Sequence, residues 1–121
     1  MSQPTNIYNR FDVVVVPFPF TDSSITKRRP ALVISETSVF NAPMAMSVMA
    51  MITTATHKYW ALDVSISDIA SAGLNNLSIV RMKLFTLDNA LIVRQIGHLA
   101  QVDEDEVLKS IGKLVGLDVG L

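Results

Sequence analysis

The sequence contains no cysteine, which excludes disulfide bridges, cysteine nucleophiles and thiolate metal sites. Its two histidines, His57 and His98, lie far apart in the chain, without the close spacing that metal-binding motifs use. Only five glycines are present, and they form neither a glycine-rich phosphate loop nor a Gly-x-Ser-x-Gly turn. The sequence therefore predicts no metal site and no bound cofactor, and it lacks the commonest enzyme motifs.

Long hydrophobic runs are also lacking. The longest charge-free apolar stretch, residues 40–55, is interrupted by Asn41 and Pro43 and is shorter than the roughly 20 apolar residues of a membrane span. The first six residues lack the basic start and apolar block of a signal peptide. We expect a cytoplasmic protein with one domain over residues 1–121, and its 50% hydrophobic content favours self-association.

The charge is small overall but unevenly distributed. A net charge of −1 argues against a strongly basic nucleic-acid binder. Residues 1–60 carry five basic and three acidic side chains, whereas residues 61–121 carry five basic and eight acidic ones. Three of the first five basic residues are consecutive, Lys27, Arg28 and Arg29, so an anion-binding site is expected there.

Most of the chain shows the pattern of β-strands. Four consecutive valines, Val13 to Val16, lead into a Pro-Phe-Pro-Phe segment and predict a strand with an extended end. A polar loop separates this strand from a second one beginning near Ala31. Further strands are expected over residues 44–54, 59–66, 77–84 and 91–96.

Two segments have helical signals. Asp68 and Gly73 would cap and stop a single helical turn. Near the end, Asp103 and Glu106 match a helix N-cap with its capping-box acid. The apolar stripe of the amphipathic helix that follows would consist of Val107, Leu108, Ile111, Leu114 and Val115. The sequence thus predicts a mainly β domain with one packing helix.

Arg29 is the first candidate for chemistry. The following residue, Pro30, restricts Arg29 to an extended backbone, which fixes where it lies. Its planar guanidinium matches phosphate oxygens. A solvated surface cluster is the ordinary explanation for three consecutive cations, so residue types alone leave both interpretations open.

Taken as a whole, these segments resemble the MazF/PemK family of toxin endoribonucleases. That family opens with an Asp-Val strand, a variable loop and an Arg-Pro-x-Leu-Val strand, which correspond here to Asp12-Val13 and Arg29-Pro30-Ala31-Leu32-Val33. The likeness continues through Ile52-Thr53-Thr54, Gly73-Leu74, Val80-Arg81, Thr86-Leu87-Asp88 and the terminal helix.

The resemblance implies an SH3-like, partly open barrel of short antiparallel strands with a C-terminal amphipathic helix and one short helical turn. It also implies a homodimer that cleaves single-stranded messenger RNA without a metal, by attack of the 2′-hydroxyl on the phosphodiester, and thereby inhibits translation and growth. A cognate antitoxin would be its partner, and operator DNA would be contacted only through the antitoxin complex. The implied catalytic residues are Arg29 and Thr53, and the implied substrate-binding residues are Lys27, Arg28, Thr54, Arg81 and Phe18.

The sequence departs from the family pattern at two informative places. One branch of the family has an acidic residue after the arginine that matches Arg81, but Met82 follows here, so the general base is unidentified. His57 could supply it or could be an exposed turn residue, while His98 is expected to be structural. Phe11 replaces the glycine that usually precedes the Asp-Val pair.

Other functions and roles remain open at this stage. The same fold serves CcdB-like toxins that inhibit gyrase without catalysis, and a degenerate member could be a nucleic-acid-binding domain only. Tyr59 and Trp60 could stack on unpaired bases or pack in the core. The six methionines are interpreted as core filler.

Overall fold

Six antiparallel strands form one sheet that curls into a half-barrel, in a computed structural model that describes residues 6–18, 27–55 and 58–117. The strands are β1 (Asp12–Phe18), β2 (Lys27–Val33), β3 (Met46–Thr54), β4 (Val64–Ser65), β5 (Ser78–Asp88) and β6 (Arg94–His98). Their order across the sheet is β4-β5-β3-β2-β1-β6. This confirms the predicted mainly β class, with β4 much shorter than the strand expected over residues 59–66.

Side-chain alternation divides the sheet into two apolar faces, because successive residues of a strand point to opposite sides. Val13, Leu32 and Val80 belong to the core on one face. Val14, Val16 and Ala31, by contrast, belong to a second core on the other face. The valine run of β1 is therefore buried on both sides, as a continuous β-branched block requires.

Short helical segments connect the strands, and one long helix follows them. Residues Thr37–Asn41 form a π-helical turn, Ala42–Met44 form α1, and Asn89–Leu91 form a 3₁₀ turn. Helix α2 (Gln101–Leu114) packs Val107 against the first core. The predicted C-terminal helix is confirmed, and among the described residues no helix is long and apolar enough to span a bilayer.

Asp103 has a different role from the one its sequence position indicates. The helix begins at Gln101 after Ala100, so Asp103 lies in its first turn and is not the N-cap. The Asp103 carboxylate is fully buried and accepts hydrogen bonds from the backbone N–H groups of Ser67 and Asp68, at 2.8 and 3.0 Å. It caps the neighbouring turn instead of its own helix.

The turn that Asp103 caps packs closely on β6. Asp68 accepts a hydrogen bond from the Ser71 N–H at 3.0 Å and closes a single turn, as predicted for this segment. Gly73 ends the turn with φ +72, and a Cβ on it would lie 1.9 Å from the carbonyl oxygen of Ile96. A Cβ on Gly97 would lie 2.3 Å from the carbonyl carbon of Ala72, so the two glycines allow the turn and β6 to pack backbone against backbone.

Phe11 occupies the position before β1 with a left-handed backbone, φ 73. Its ring is 2% exposed and belongs to the first core. The conformation explains why glycine is usual at this position, since only glycine adopts it without strain. In this chain the buried ring compensates for the strained backbone.

Candidate active site

The candidate site lies where β2 and β3 extend beyond their hydrogen-bonded ladder. The ladder pairs Ala31–Val33 with Met49–Met51, although β2 begins at Lys27 and β3 continues to Thr54. If the register is continued by two residues, Arg29 lies opposite Thr53. Directly opposed residues of antiparallel strands share a face of the sheet, so both side chains lie on the same side.

A groove of about 450 Å³ opens between these strand ends. Its floor is formed by Val15, Pro30 and Ile52. Its polar lining comprises Arg28, Arg29, Arg94, Thr53, Thr54, Asn75, Asn76 and Ser78. Within the described ranges this lining has three cations and neither a carboxylate nor an imidazole, so the groove is suited to an anionic ligand.

The sequence-predicted residues divide between the two faces of the sheet. Arg29 and Thr53 share one face, whereas Arg28 and Thr54 point to the other, as strand alternation requires. All four nevertheless line the groove, because it lies at the strand ends and is bounded from both sides. The structure thus brings both implied catalytic residues into one groove.

A second, smaller cavity of about 190 Å³ adjoins the groove and shares Arg29, Ile52 and Thr53 with it. Its remaining lining residues are Phe18, Met51, Arg81 and Lys83. The Arg29 guanidinium lies 5.7 Å from the centroid of the Phe18 ring, a cation–π distance. Lys27 is exposed, pairs with Phe18 across β1 and β2, and lines neither cavity.

Arg81 has an acidic partner, but the partner comes from elsewhere in the chain. Its Nε and Nη2 donate to the two carboxylate oxygens of Asp63 at 3.1 and 2.9 Å, and Nη2 also donates to the Lys58 carbonyl at 2.8 Å. The hydrogen bonds to Asp63 raise the pKa of Arg81. Arg81 thus forms a salt bridge with Asp63, 18 residues earlier in the chain, and no acidic residue follows it directly.

Two cationic residues at these cavities, Arg94 and Lys83, were missed by sequence reasoning. Arg94 enters the groove because it pairs with Val15 across β1 and β6. Lys83 lines the smaller cavity, and its ammonium lies 5.9 Å from the centroid of the Trp60 ring. Only the strand register reveals these positions, and no local motif indicated them.

His98 has a structural role, as expected, because it contacts two acidic side chains from different elements. Its Nδ1 contacts Asp12 at 2.8 Å and its Nε2 contacts Glu104 at 3.1 Å, which links β1, β6 and α2. His98 lines neither cavity. His57 lies outside the described residues, and within the described ranges no cluster of three His, Asp or Glu side chains could hold a metal ion.

The half-barrel with its C-terminal helix is the fold of MazF-like toxins, as comparison with solved structures shows. A solved Mycobacterium tuberculosis toxin, MazF-mt6, is 26% identical over 88% of this chain and 98% of its own, with a TM-score of 0.70. An Mtb toxin is 30% identical over 70% of this chain and 90% of its own, with a TM-score of 0.60. A MazE–MazF structure from Deinococcus radiodurans, 19% identical over 93% and 100% of the two chains, supports the fold with a TM-score of 0.73.

The family model described as PemK-like, MazF-like toxin of type II toxin-antitoxin system matches residues 9–115. The chain belongs to this family, whose MazF toxins are endoribonucleases. No curated protein sequence matches the chain significantly. The resemblance found in the sequence motifs is thereby confirmed.

Proposed function

We propose that this protein is a toxin endoribonuclease that cleaves single-stranded messenger RNA and so inhibits translation and growth. The observation that carries the proposal is the placement of Arg29 and Thr53 on one sheet face in a shared groove. An arginine at the edge of a groove with two further cations, Arg28 and Arg94, suits a phosphodiester backbone.

The proposed reaction uses the nucleophile of the substrate itself. The 2′-hydroxyl oxygen attacks the adjacent phosphorus and loses its proton, while the bond from phosphorus to the 5′-oxygen breaks and that oxygen takes up a proton. The products are a cyclic phosphate and a free 5′-hydroxyl. The proposed step uses no metal-activated water, because the nucleophile is already part of the substrate, on the ribose next to the scissile phosphate.

Arg29 and Thr53 stabilise the charge that develops in this proposal. Arginine remains protonated at neutral pH, so Arg29 acts by neutralising the phosphorane oxygens and not by taking the proton. No carboxylate lies within ion-pair distance of Arg29 among the described residues, which leaves its charge available. The Thr53 hydroxyl would donate a hydrogen bond to a phosphate oxygen. In this proposal Arg28, Thr54 and Phe18 bind the RNA on either side of the cleaved bond.

We also propose a homodimer regulated by a cognate antitoxin, with operator DNA contacted only through that complex. The solved relatives include a MazE–MazF structure from Deinococcus radiodurans and a mycobacterial endoribonuclease with its cognate antitoxin. Several large apolar side chains are exposed, among them Val39, Leu77 and Val115 at 73, 72 and 66%. Such surfaces support association with other chains.

The test is to incubate the purified protein with a long single-stranded RNA in EDTA and to analyse the fragment ends. Cleavage that leaves cyclic phosphate and 5′-hydroxyl ends is expected. The Arg29→Ala variant should lose about 10²- to 10³-fold in rate, the usual cost of one pre-organised oxyanion donor. Arg10→Ala is the matched control, because Arg10 contacts Phe11 and lines neither cavity.

Two outcomes would overturn the proposal. A fully active Arg29→Ala protein would remove Arg29 from the mechanism. RNA that stays intact under all conditions would favour the non-catalytic alternatives, and inhibition of gyrase would then distinguish a CcdB-like toxin from a nucleic-acid-binding domain.

A further inference from the structure

β5 contains an irregularity beside the smaller cavity. It pairs with β3 through Met51 opposite Arg81, but the next pair is Ala50 opposite Leu84. Met82 and Lys83 of β5 therefore have no paired residue on β3 and form a bulge. Bulges of this kind re-aim side chains next to functional sites, and this one places Lys83 in the wall of the cavity that contains Arg29 and Thr53.

Lys83 differs from its neighbour Arg81 in its ion pairing. Among the described residues no acidic group lies within ion-pair distance of it, whereas its neighbour Arg81 is held by Asp63. Lys83 and Arg29 are thus the two available cations of the smaller cavity, and the cavity adjoins the groove of the proposed reaction.

Trp60 holds Lys83 in this position. Its ring centroid lies 5.9 Å from the Lys83 ammonium and 5.5 Å from the Arg81 guanidinium. The Trp60 backbone N–H donates to Asp63 at 3.3 Å, and Asp63 is the partner of Arg81. This contact holds the Trp60 backbone beside the Arg81–Asp63 pair, and the ring offers an aromatic face to the Lys83 ammonium, which limits the freedom that Lys83 loses on binding an anion.

We propose that Lys83, positioned by Trp60, binds a second phosphate of the RNA substrate, next to the phosphate held by Arg29 and Thr53. The proposal rests on the proposed function for the identity of the substrate. The cavity is smaller than the roughly 300–1,000 Å³ of typical small-molecule pockets, which suits one backbone unit of a single strand. Lys83 would thereby set the path of the strand as it leaves the cleavage groove.

The test measures binding to a fluorescent single-stranded RNA that is 2′-O-methylated at every sugar and cannot be cleaved. Lys83→Gln should weaken binding about tenfold at low salt, as expected for one charged contact. The slope of log Kd against log salt should fall by about 0.7, the value for one phosphate contact on a single strand. Lys83→Arg should retain the wild-type slope.

Lys113→Gln is the matched control, because it makes the same change in net charge from the last turn of α2, outside both cavities. Its slope should equal that of the wild type. An unchanged slope in Lys83→Gln, or an equal fall in Lys113→Gln, would overturn the proposal.

The positioning role of Trp60 is tested by a double-mutant cycle. Trp60→Leu alone should lower both the affinity and the salt slope, and in the Lys83→Gln background it should change Kd by less than about twofold. Trp60→Phe should restore most of the binding, because it retains an aromatic face. Additive losses with an unchanged slope would mean that Trp60 contacts a base directly, which contradicts the positioning role.

Failure of this inference can be distinguished from failure of the proposed function. If the wild-type protein cleaves RNA and Lys83→Gln binds with an unchanged slope, only the second phosphate site is wrong. If the wild-type protein does not cleave RNA but its binding depends on Lys83 as described, the phosphate site stands and the nuclease proposal fails.

Discussion

Phe11 allows a test of backbone strain. An alanine variant is normally more stable than the glycine variant at the same position, and at Phe11 the glycine variant should be the more stable one. Replacing the buried Phe11 ring by Ala should cost about 3–5 kcal/mol of unfolding free energy. The left-handed backbone, which costs an L-residue about 1–2 kcal/mol, persists in the Ala variant. Glycine removes this strain but adds about 0.5–1 kcal/mol of backbone entropy.

Phe11→Gly should therefore be more stable than Phe11→Ala by about 0.5–1 kcal/mol. The measurement is urea unfolding followed by circular dichroism and by the fluorescence of the single tryptophan, Trp60. With a slope of about 2 kcal/mol/M, the two midpoints should differ by roughly 0.3–0.5 M.

The control pair is Val13→Ala and Val13→Gly, at a fully buried position within β1. There the glycine variant should be the less stable one, because an extended backbone offers no strain to relieve. If Phe11→Ala proves more stable than Phe11→Gly, the argument that a strained backbone persists at this position is refuted.

Three further predictions concern the site and the turn packed on β6. Thr53→Val should lower RNA cleavage more than Thr54→Val, measured as turnover, because only Thr53 shares a face with Arg29, the proposed catalytic arginine. Asp103→Asn should destabilise the fold by about 2 kcal/mol in urea unfolding, since the two buried carboxylate oxygens each accept a backbone N–H and an amide nitrogen cannot. Gly97→Ala should abolish or severely reduce cooperative unfolding, because the added Cβ would lie 2.3 Å from a backbone carbon.

Much of the fold followed from local pattern. The β-branched run of β1 and the apolar run of β3 predicted strands, and the structure confirms them. The α2 helix is also confirmed, but only Val107, Leu108 and Ile111 of its predicted stripe pack on the core, whereas Leu114 and Val115 are exposed. The strand expected over residues 59–66 fails because Asp63 is used to bind Arg81, so the chain turns there and pairs only at Val64–Ser65. Such long-range contacts leave no periodic trace in sequence.

Only those residues of the candidate site that belong to family motifs were predicted from the sequence. Arg29 and Thr53 were found through the resemblance, and the register explains why they meet. Arg94 and Lys83 were missed because the first depends on pairing between distant strands and the second on a bulge. The Asp103 cap was misassigned because its carboxylate satisfies a neighbouring turn, which the capping pattern alone does not distinguish.

The end of the β2–β3 ladder at Ala31 and Met51 has a consequence for how this fold diversifies. Side chains beyond the ladder can be exchanged without breaking the hydrogen bonds that hold the two strands, so substitutions there cost little stability. The side chains at the candidate site can therefore change while the scaffold is preserved. Solved relatives with this fold are only 15–30% identical to the chain, as expected if side chains change while the backbone scaffold is kept.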